Sequence, residues 1–293
     1  MDITVLSVYR KEVLSSHGKT ERDMTEYIGI LREWMKKMPH IPSYLLQDSF
    51  LEIHLIKNKF SLEKTKNKIE NYCNLKSSPR YQYLYEDCLV IPSKEPQFYI
   101  PILKLTDEFY RIMIGRIWDE EKWDIKREFS NTAILREFSS RYDYSNGDII
   151  VMDFYECSMK LVSKFRANVI SDGLLILRKG HSARLKEIHI ISKLASTILP
   201  WCKSFLPSKI FSRIFAHENR ESLSKFIPAK YLPKDYGGEL KSLDEMRGDF
   251  DGICDANRED LIKYVNTKSY ENLRRGNNTT EELQGTFKSL HID

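Results

Sequence analysis

Lys209 and Arg213 stand four residues apart in "SFLPSKIFSRIFAHE", a segment that is otherwise largely apolar. Between Trp201 and Arg220 there are four bases (Lys203, Lys209, Arg213 and Arg220) and one acid, Glu218. Cations gathered in this way could hold phosphate oxygens by charge-assisted hydrogen bonds, an arginine binding in a fork. On one helix, Lys209 and Arg213 would lie a turn apart, a like-charge pair that slightly weakens an isolated helix. On charge alone, a solvated basic surface is the simpler reading.

A second place to look for phosphate binding is Gly237-Gly238 in "AKYLPKDYGGEL". A phosphate loop needs a strand before its glycines and Lys-Ser/Thr after them. Here Glu239 and Leu240 follow, so an acid would face the anion. The glycines are expected to turn the chain or allow close packing. Other catalytic patterns fail as well. No G-x-S-x-G elbow occurs, and Ser61-Leu62-Glu63-Lys64, which has the S-x-x-K spacing, sits where Ser61 should cap a helix. The seven histidines form no paired metal spacing. His189, inside an apolar strand, is expected to be a hydrogen-bonded core residue. The acid run "WDEEKWD" (118–124) reads as a solvated face. With no nucleophile–base set, metal motif or cofactor motif, the sequence predicts a protein that is not an enzyme.

The elements around these residues fall into two kinds. From about residue 20 to 95 the pattern is helical: Ile28, Leu31, Trp34 and Met35 keep helical spacing, with Pro39 and Pro42 after the end. Leu46, Phe50, Ile53 and Leu55 mark a second helix, and "SLEKTKNKIENYCNL" a third. From Phe98 onward, "FYIPILKL", "GDIIVMDFYE" and "KEIHIIS" are short and rich in Ile, Val and Tyr, as strands are. Helical stretches such as "CSMKLVSKFRANVI" lie between them. The expected fold is α/β: an N-terminal helical domain at 1–95, an α/β domain with a mostly parallel sheet at 96–256, and a charged tail at 257–293.

Composition narrows the function. The 293 residues carry 46 bases and 42 acids, a net charge of +4 that is too mild for a general nucleic-acid binder. The N-terminus lacks the pattern of a signal peptide, and no stretch has the roughly 18 apolar residues of a membrane span. Five scattered cysteines without a C-x-x-C pair fit a reducing cytosol. The Asn277–Thr280 sequons are then chance matches.

Several segments, in order and spacing, resemble the CRAL-TRIO lipid-binding family. They are "FLEIHLIKNKFSLEKTKNKIENY", "GDIIVMDFYECSM", "ARLKEIHIIS", "FLPSKIFSRIFAHE" and "LPKDYGGEL"; the tail "LQGTFKSLHID" resembles the ending of insect-type members. The resemblance covers nearly the whole chain and points to the tocopherol- and retinaldehyde-carrying members. It implies a sheet that floors a lipid cavity, closed by a mobile amphipathic helix. It also implies soluble, cytoplasmic binding and transfer of one hydrophobic lipid: a tocopherol, retinoid, carotenoid or other isoprenoid-like cargo. Release would take place at phosphoinositide-containing endosomal or plasma membranes. A phosphoinositide-sensing membrane adaptor that moves no lipid is the alternative.

On this resemblance the cavity would be lined by Met152, Phe154, Met159, Val162, Phe165, Ile176, Ile188 and Ile190. The lid "SKLASTILPWCKSFL" would add Leu194, Ile198, Cys202 and Phe205, which recur at three- and four-residue steps. Arg184, Lys186, Lys209 and Arg213 match the family's headgroup-binding bases. The chain departs from the family at Ile56 and Asn58, where arginines are usual, with Lys57 and Lys59 as possible compensation. Ser192 replaces the usual asparagine, the lid is about two residues shorter by alignment with the family, and Pro200 should kink or interrupt it. These departures leave the identity of the cargo open.

Overall fold

The computed structural model describes residues 3–43, 46–85 and 94–274. Its first part is helical. A single turn at Ile3–Leu6 precedes α1 (Arg10–Ser16), α2 (Glu21–Lys36), α3 (Asp48–Lys57) and α4 (Leu62–Ser77). Thr20 opens α2 with a capping box: its hydroxyl accepts from the Asp23 amide, and the Asp23 carboxylate accepts from the Thr20 amide. Ser61 caps α4, its hydroxyl accepting from the Lys64 amide at 3.4 Å, so the S-x-x-K spacing serves the backbone. Leu31 and Met35 pack on Phe50, Ile53 and Leu55, while Ile28 and Trp34 lie at the margin of this core.

The second part is built on five strands in the order β1 (Gln97–Pro101), β2 (Tyr110–Ile117), β3 (Gly147–Asp153), β4 (Leu185–Ile191) and β5 (Ile214–His217). Only the β1–β2 pair is antiparallel; the other three are parallel. The fold is therefore α/β with a mostly parallel sheet. Two strands add to those read from the sequence. Arg111, Gly115 and Arg116 interrupt the apolar pattern of β2, and β5 is only four residues long. The intervening helices are α5 (Ile125–Tyr142), α6 (Lys160–Lys164), α7 (Ala167–Leu175), α8 (Ala195–Phe205) and α9 (Ser208–Phe211). Helices α10 (Leu243–Ala256) and α11 (Arg258–Val265) follow the sheet.

Two local expectations are corrected. "CSMKLVSKFRANVI" divides into α6 and α7 because Phe165 and Arg166 are extended. Of the kink or interruption expected at Pro200, the interruption does not occur, because α8 continues through it. Ser196 and Pro200, four residues apart, are both exposed, so the carbonyl deprived of an amide lies on the water side.

The helical part docks on the sheet through buried polar contacts. Tyr72 and Lys76 of α4 each donate to Glu137 of α5 at 2.7 Å, and Arg141 donates to the same carboxylate at 2.6 Å. Burial pushes the Glu137 carboxyl up, but Lys76 and Arg141 outweigh it and hold it well below the usual carboxylate range. The segment after the sheet ties down its far end. Gly237 has φ +73°, and a Cβ on Gly238 would lie 1.9 Å from the Leu232 carbonyl oxygen. The turn they form brings Tyr236 to Asp153 at 2.9 Å and Asp235 to Arg116 at 3.0 Å. Gly238→Ala should therefore lower unfolding stability by about 3 kcal/mol or more in urea titration. Gly237→Asn, which keeps a residue tolerant of the left-handed conformation, should lose about 1 kcal/mol or less.

Candidate functional site

Strand side chains alternate between the two faces of the sheet, and the faces are covered differently. On one face Ile112, Ile114, Ile149 and Val151 pack into a core with Phe250 and Ile253 of α10. On the other, a cavity of about 180 Å³ lies between the sheet and α5, α7, α8 and α9. Strand register lays its floor in two rows: Met113–Ile150–Ile188–Ile214, and Tyr99–Gly115–Met152–Ile190–Ala216. Gly115 is needed in the second row, because a Cβ there would meet the Tyr99 ring at 2.6 Å. Phe165, Ile170, Leu174, Ile198 and Ile210 build the walls.

Met152, Phe154, Phe165, Ile188, Ile190 and Ile198, all expected from the sequence, line this cavity. Ile176 is buried in the surrounding core and Leu194 packs against it, but neither reaches the cavity. Val162 is half-buried outside the lining. Met159 must be set aside: it is 50% exposed at the cap of the five-residue α6, whose buried side is supplied by Leu161. The side chains of Cys202 and Phe205 lie outside the described residues.

The sequence reading missed the polar part of the wall. Ile125, Glu128, Phe129, Thr132 and Arg136 line the cavity from α5, and Gln97, Tyr99 and Trp123 join them. Their three- and four-residue steps were a usable signal, since they put these residues on one helix face. Charged residues on a helix are normally assigned to water, which hid it. Glu128 is 7% exposed, and neither of its carboxyl oxygens has a hydrogen-bond partner among the described residues. The Trp123 indole instead donates to Gln97 Oε1. Burial pushes the Glu128 carboxyl up to about 8, although Trp123 and Tyr99 are near enough to restrain the rise. Arg136 is neutralised by Asp148, to which it donates at 2.8 Å.

The basic residues gather at one end of the sheet. Arg184 donates to the Asn146 carbonyl at 3.0 Å, and Arg213 donates to the Leu185 carbonyl. Lys186 pairs with Glu108 and lies 4.6 Å above the Tyr110 ring. Lys209 is exposed on α9. Arg213 does not share its helix, because α9 stops at Phe211 and the Arg213 carbonyl already accepts from Ile188 in the sheet. Lys57 offers no compensation for the missing arginines: it is 8% exposed and donates to Ser145 Oγ at 2.5 Å. Lys59 is exposed, and both it and Arg184 act electrostatically on His17.

Other candidates resolve into structure. His189 is buried and bonded to His217 at 2.9 Å, on the sheet face opposite Ile188 and Ile190. Burial holds it down at about 4, so it is neutral near pH 7. Among the described residues no group of His, Cys, Asp and Glu could hold a metal ion. The run 118–124 is less solvated than expected, since Trp123 is buried and Asp124 caps α5.

Comparisons with known proteins follow this geometry. The model of the family described as "CRAL/TRIO domain" matches residues 116–238, and that of "Pinta-like, UBA domain" matches residues 20–89. Alpha-tocopherol transfer protein-like from Mus musculus is 26% identical over 253 residues, covering 80% of this chain and 71% of that protein. The Homo sapiens protein of that name gives the same values. Clavesin-1 from Rattus norvegicus is 30% identical over 108 residues, 34% of this chain and 29% of that protein. The solved structure "Crystal structure of Sfh5" covers 83% of this chain and 85% of its own, with TM-score 0.45 and 11% identity.

Glu128 gives this site a pH signature. Its folded value, about 8, lies above its ordinary 4.5. Between these values the unfolded chain releases a proton that the folded chain keeps, so this group's contribution to stability falls as pH rises. Glu128→Gln should remove that fall. In urea titrations, the variant should gain on the wild type by on the order of a few kcal/mol between about pH 5 and about pH 8.

Proposed function

We propose that this chain, whose residues 116–238 match the model of the family described as "CRAL/TRIO domain", binds one hydrophobic lipid and transfers it between membranes. The apolar cavity of about 180 Å³ beneath α8 and α9 is the observation that carries this reading. The relatives named alpha-tocopherol transfer protein-like support it. The cargo class is a tocopherol, retinoid, carotenoid or other isoprenoid-like lipid. Burying roughly 400 Å² of hydrocarbon at about 25 cal/mol/Å² favours binding by on the order of 10 kcal/mol before binding costs. No covalent step is needed to extract a lipid on that scale.

The cavity is smaller than a drug-sized pocket of about 300–1,000 Å³. A long cargo would therefore displace the wall, and α8 with α9 is the wall that forms the lid. Release needs a surface that binds the open form better than the closed one. Arg184, Lys186, Lys209 and Arg213 would supply it by docking a phosphoinositide headgroup. Arg184 and Arg213 now hold carbonyls beside β4, and Lys186 holds Glu108. Headgroup phosphates would compete for these donors and loosen the sheet end next to α9. Among the described residues no helix is long and apolar enough to cross a membrane. The carrier reading itself implies a cytoplasmic protein with transient visits to endosomal or plasma membranes.

A vesicle assay tests this reading. The wild type should speed exchange of a fluorescent isoprenoid lipid between vesicles, and faster when the acceptors contain phosphoinositide. Lys186→Ala/Lys209→Ala spares both carbonyl-holding arginines and should weaken binding to such vesicles about tenfold at low salt, with a smaller effect at high salt. Unchanged binding at low salt would remove the headgroup site from the account. Vesicle binding without any exchange would favour the adaptor instead.

A further inference from the structure

Resting on the lipid-carrier reading, we propose that Glu128 and Gln97 form a built-in recognition point for a neutral oxygen, hydroxyl or carbonyl, at one end of an otherwise hydrocarbon ligand. The two residues come from different elements but line one cavity. Gln97 and Tyr99 lie two apart on β1, so they share a sheet face. Glu128, Thr132 and Arg136 follow at four-residue steps along α5.

The hydrogen-bonding state of these groups selects the ligand's chemistry. Gln97 is 1% exposed, and its Oε1 is already taken by the Trp123 indole. Its amide nitrogen has no partner among the described residues, and neither do both oxygens of Glu128 and the Nε of Arg136. Buried polar groups normally find partners, and leaving them without any costs stability. The contrast with Glu137 is direct: that carboxylate, equally buried, is held by Lys76, Arg141 and Tyr72.

Glu128 has no such cation, since Arg136 is engaged by Asp148. Burial keeps its proton on near pH 7, so it presents one O–H donor and one carbonyl acceptor. Together with the two N–H groups of the Gln97 amide, the unmatched donors outnumber the acceptors. A ligand oxygen that accepts would satisfy them, and a hydroxyl could also donate back to the Glu128 carbonyl. A carboxylate would bring a negative charge against a carboxyl kept neutral by burial, in a wall whose Arg136 is already paired with Asp148. A purely hydrocarbon end would leave the Gln97 amide unmatched, and Glu128 with only the nearby Trp123 and Tyr99 side chains.

The test uses the full chain, stripped of lipid, and displacement of a fluorescent apolar probe by decanol, decanal, decanoate and undecane. Comparing each ligand between wild type and Glu128→Leu cancels its own cost of leaving water. Glu128→Leu should weaken decanol and decanal at least about tenfold relative to undecane, and Glu128→Gln should keep decanol within about threefold of wild type. Wild-type affinity for decanol should also fall as pH rises through about 8, where the carboxyl loses its proton, while Glu128→Gln stays flat. If Glu128→Leu does not fold, this pH comparison decides, and a flat wild-type profile overturns the inference. Equal effects of Glu128→Leu on all four ligands overturn it while leaving lipid binding intact. Decanoate binding tighter than decanol overturns it in favour of an acidic end held by Arg178, the wall's other cation. Failure of all four ligands to displace the probe overturns the carrier reading as well.

Discussion

A pleated sheet sends alternate side chains to opposite faces, and most of this molecule follows from covering the two faces differently. Phe250 and Ile253 of α10 help close one face as a packed core. The other is roofed at a distance by α5, α7, α8 and α9, which leaves the cavity. Gly115 shows how closely the arrangement depends on register, since it stands in a row between Tyr99 and Met152 and leaves room for the Tyr99 ring. A one-residue slip in any of these strands would exchange the packed face for the cavity face.

Two buried carboxyls on α5 meet their burial in opposite ways. Glu137 is surrounded by Lys76, Arg141 and Tyr72 and joins the helical part to the sheet. Removing one partner of such a cluster strands a buried charge, typically at about 3–5 kcal/mol. Glu128 sits about two and a half turns earlier, in an apolar wall without a cation of its own, and responds by keeping its proton. The same residue type on the same helix thus serves cohesion at one end and faces the cavity at the other. At the sheet's end, Arg184 and Arg213 hold backbone carbonyls close to α9, so the basic cluster adjoins the cavity wall that α8 and α9 form.

Much of this was legible in the sequence where local chemistry decides the outcome. Ser61 caps its helix as its position implies, and Gly237-Gly238 turns the chain, Gly237 through its positive φ and Gly238 where a neighbouring carbonyl leaves no room for a side chain. The apolar floor was readable from β3 and β4, whose alternation put Met152, Ile188 and Ile190 on one face. Tertiary context hid the rest. Buried Arg111 and space-giving Gly115 disguised β2, and β5 was too short to show a period. Met159 looked like a lining residue until α6 proved to be five residues long. Glu128 and Gln97 were invisible as site residues, because only the packing of α5 over β1 takes them from water.

Quantitative mass spectrometry of lipid extracted from the full-length protein, purified from its native source, tests the central claim most directly. The cavity account predicts one class of isoprenoid-like lipid at about one molecule per chain, since a cavity of about 180 Å³ has no room for a second ligand. It also predicts that Ile190→Trp, which fills the floor, lowers that yield sharply while the folded protein persists. A mixture of membrane lipids in trace amounts, the same in wild type and Ile190→Trp, would contradict it.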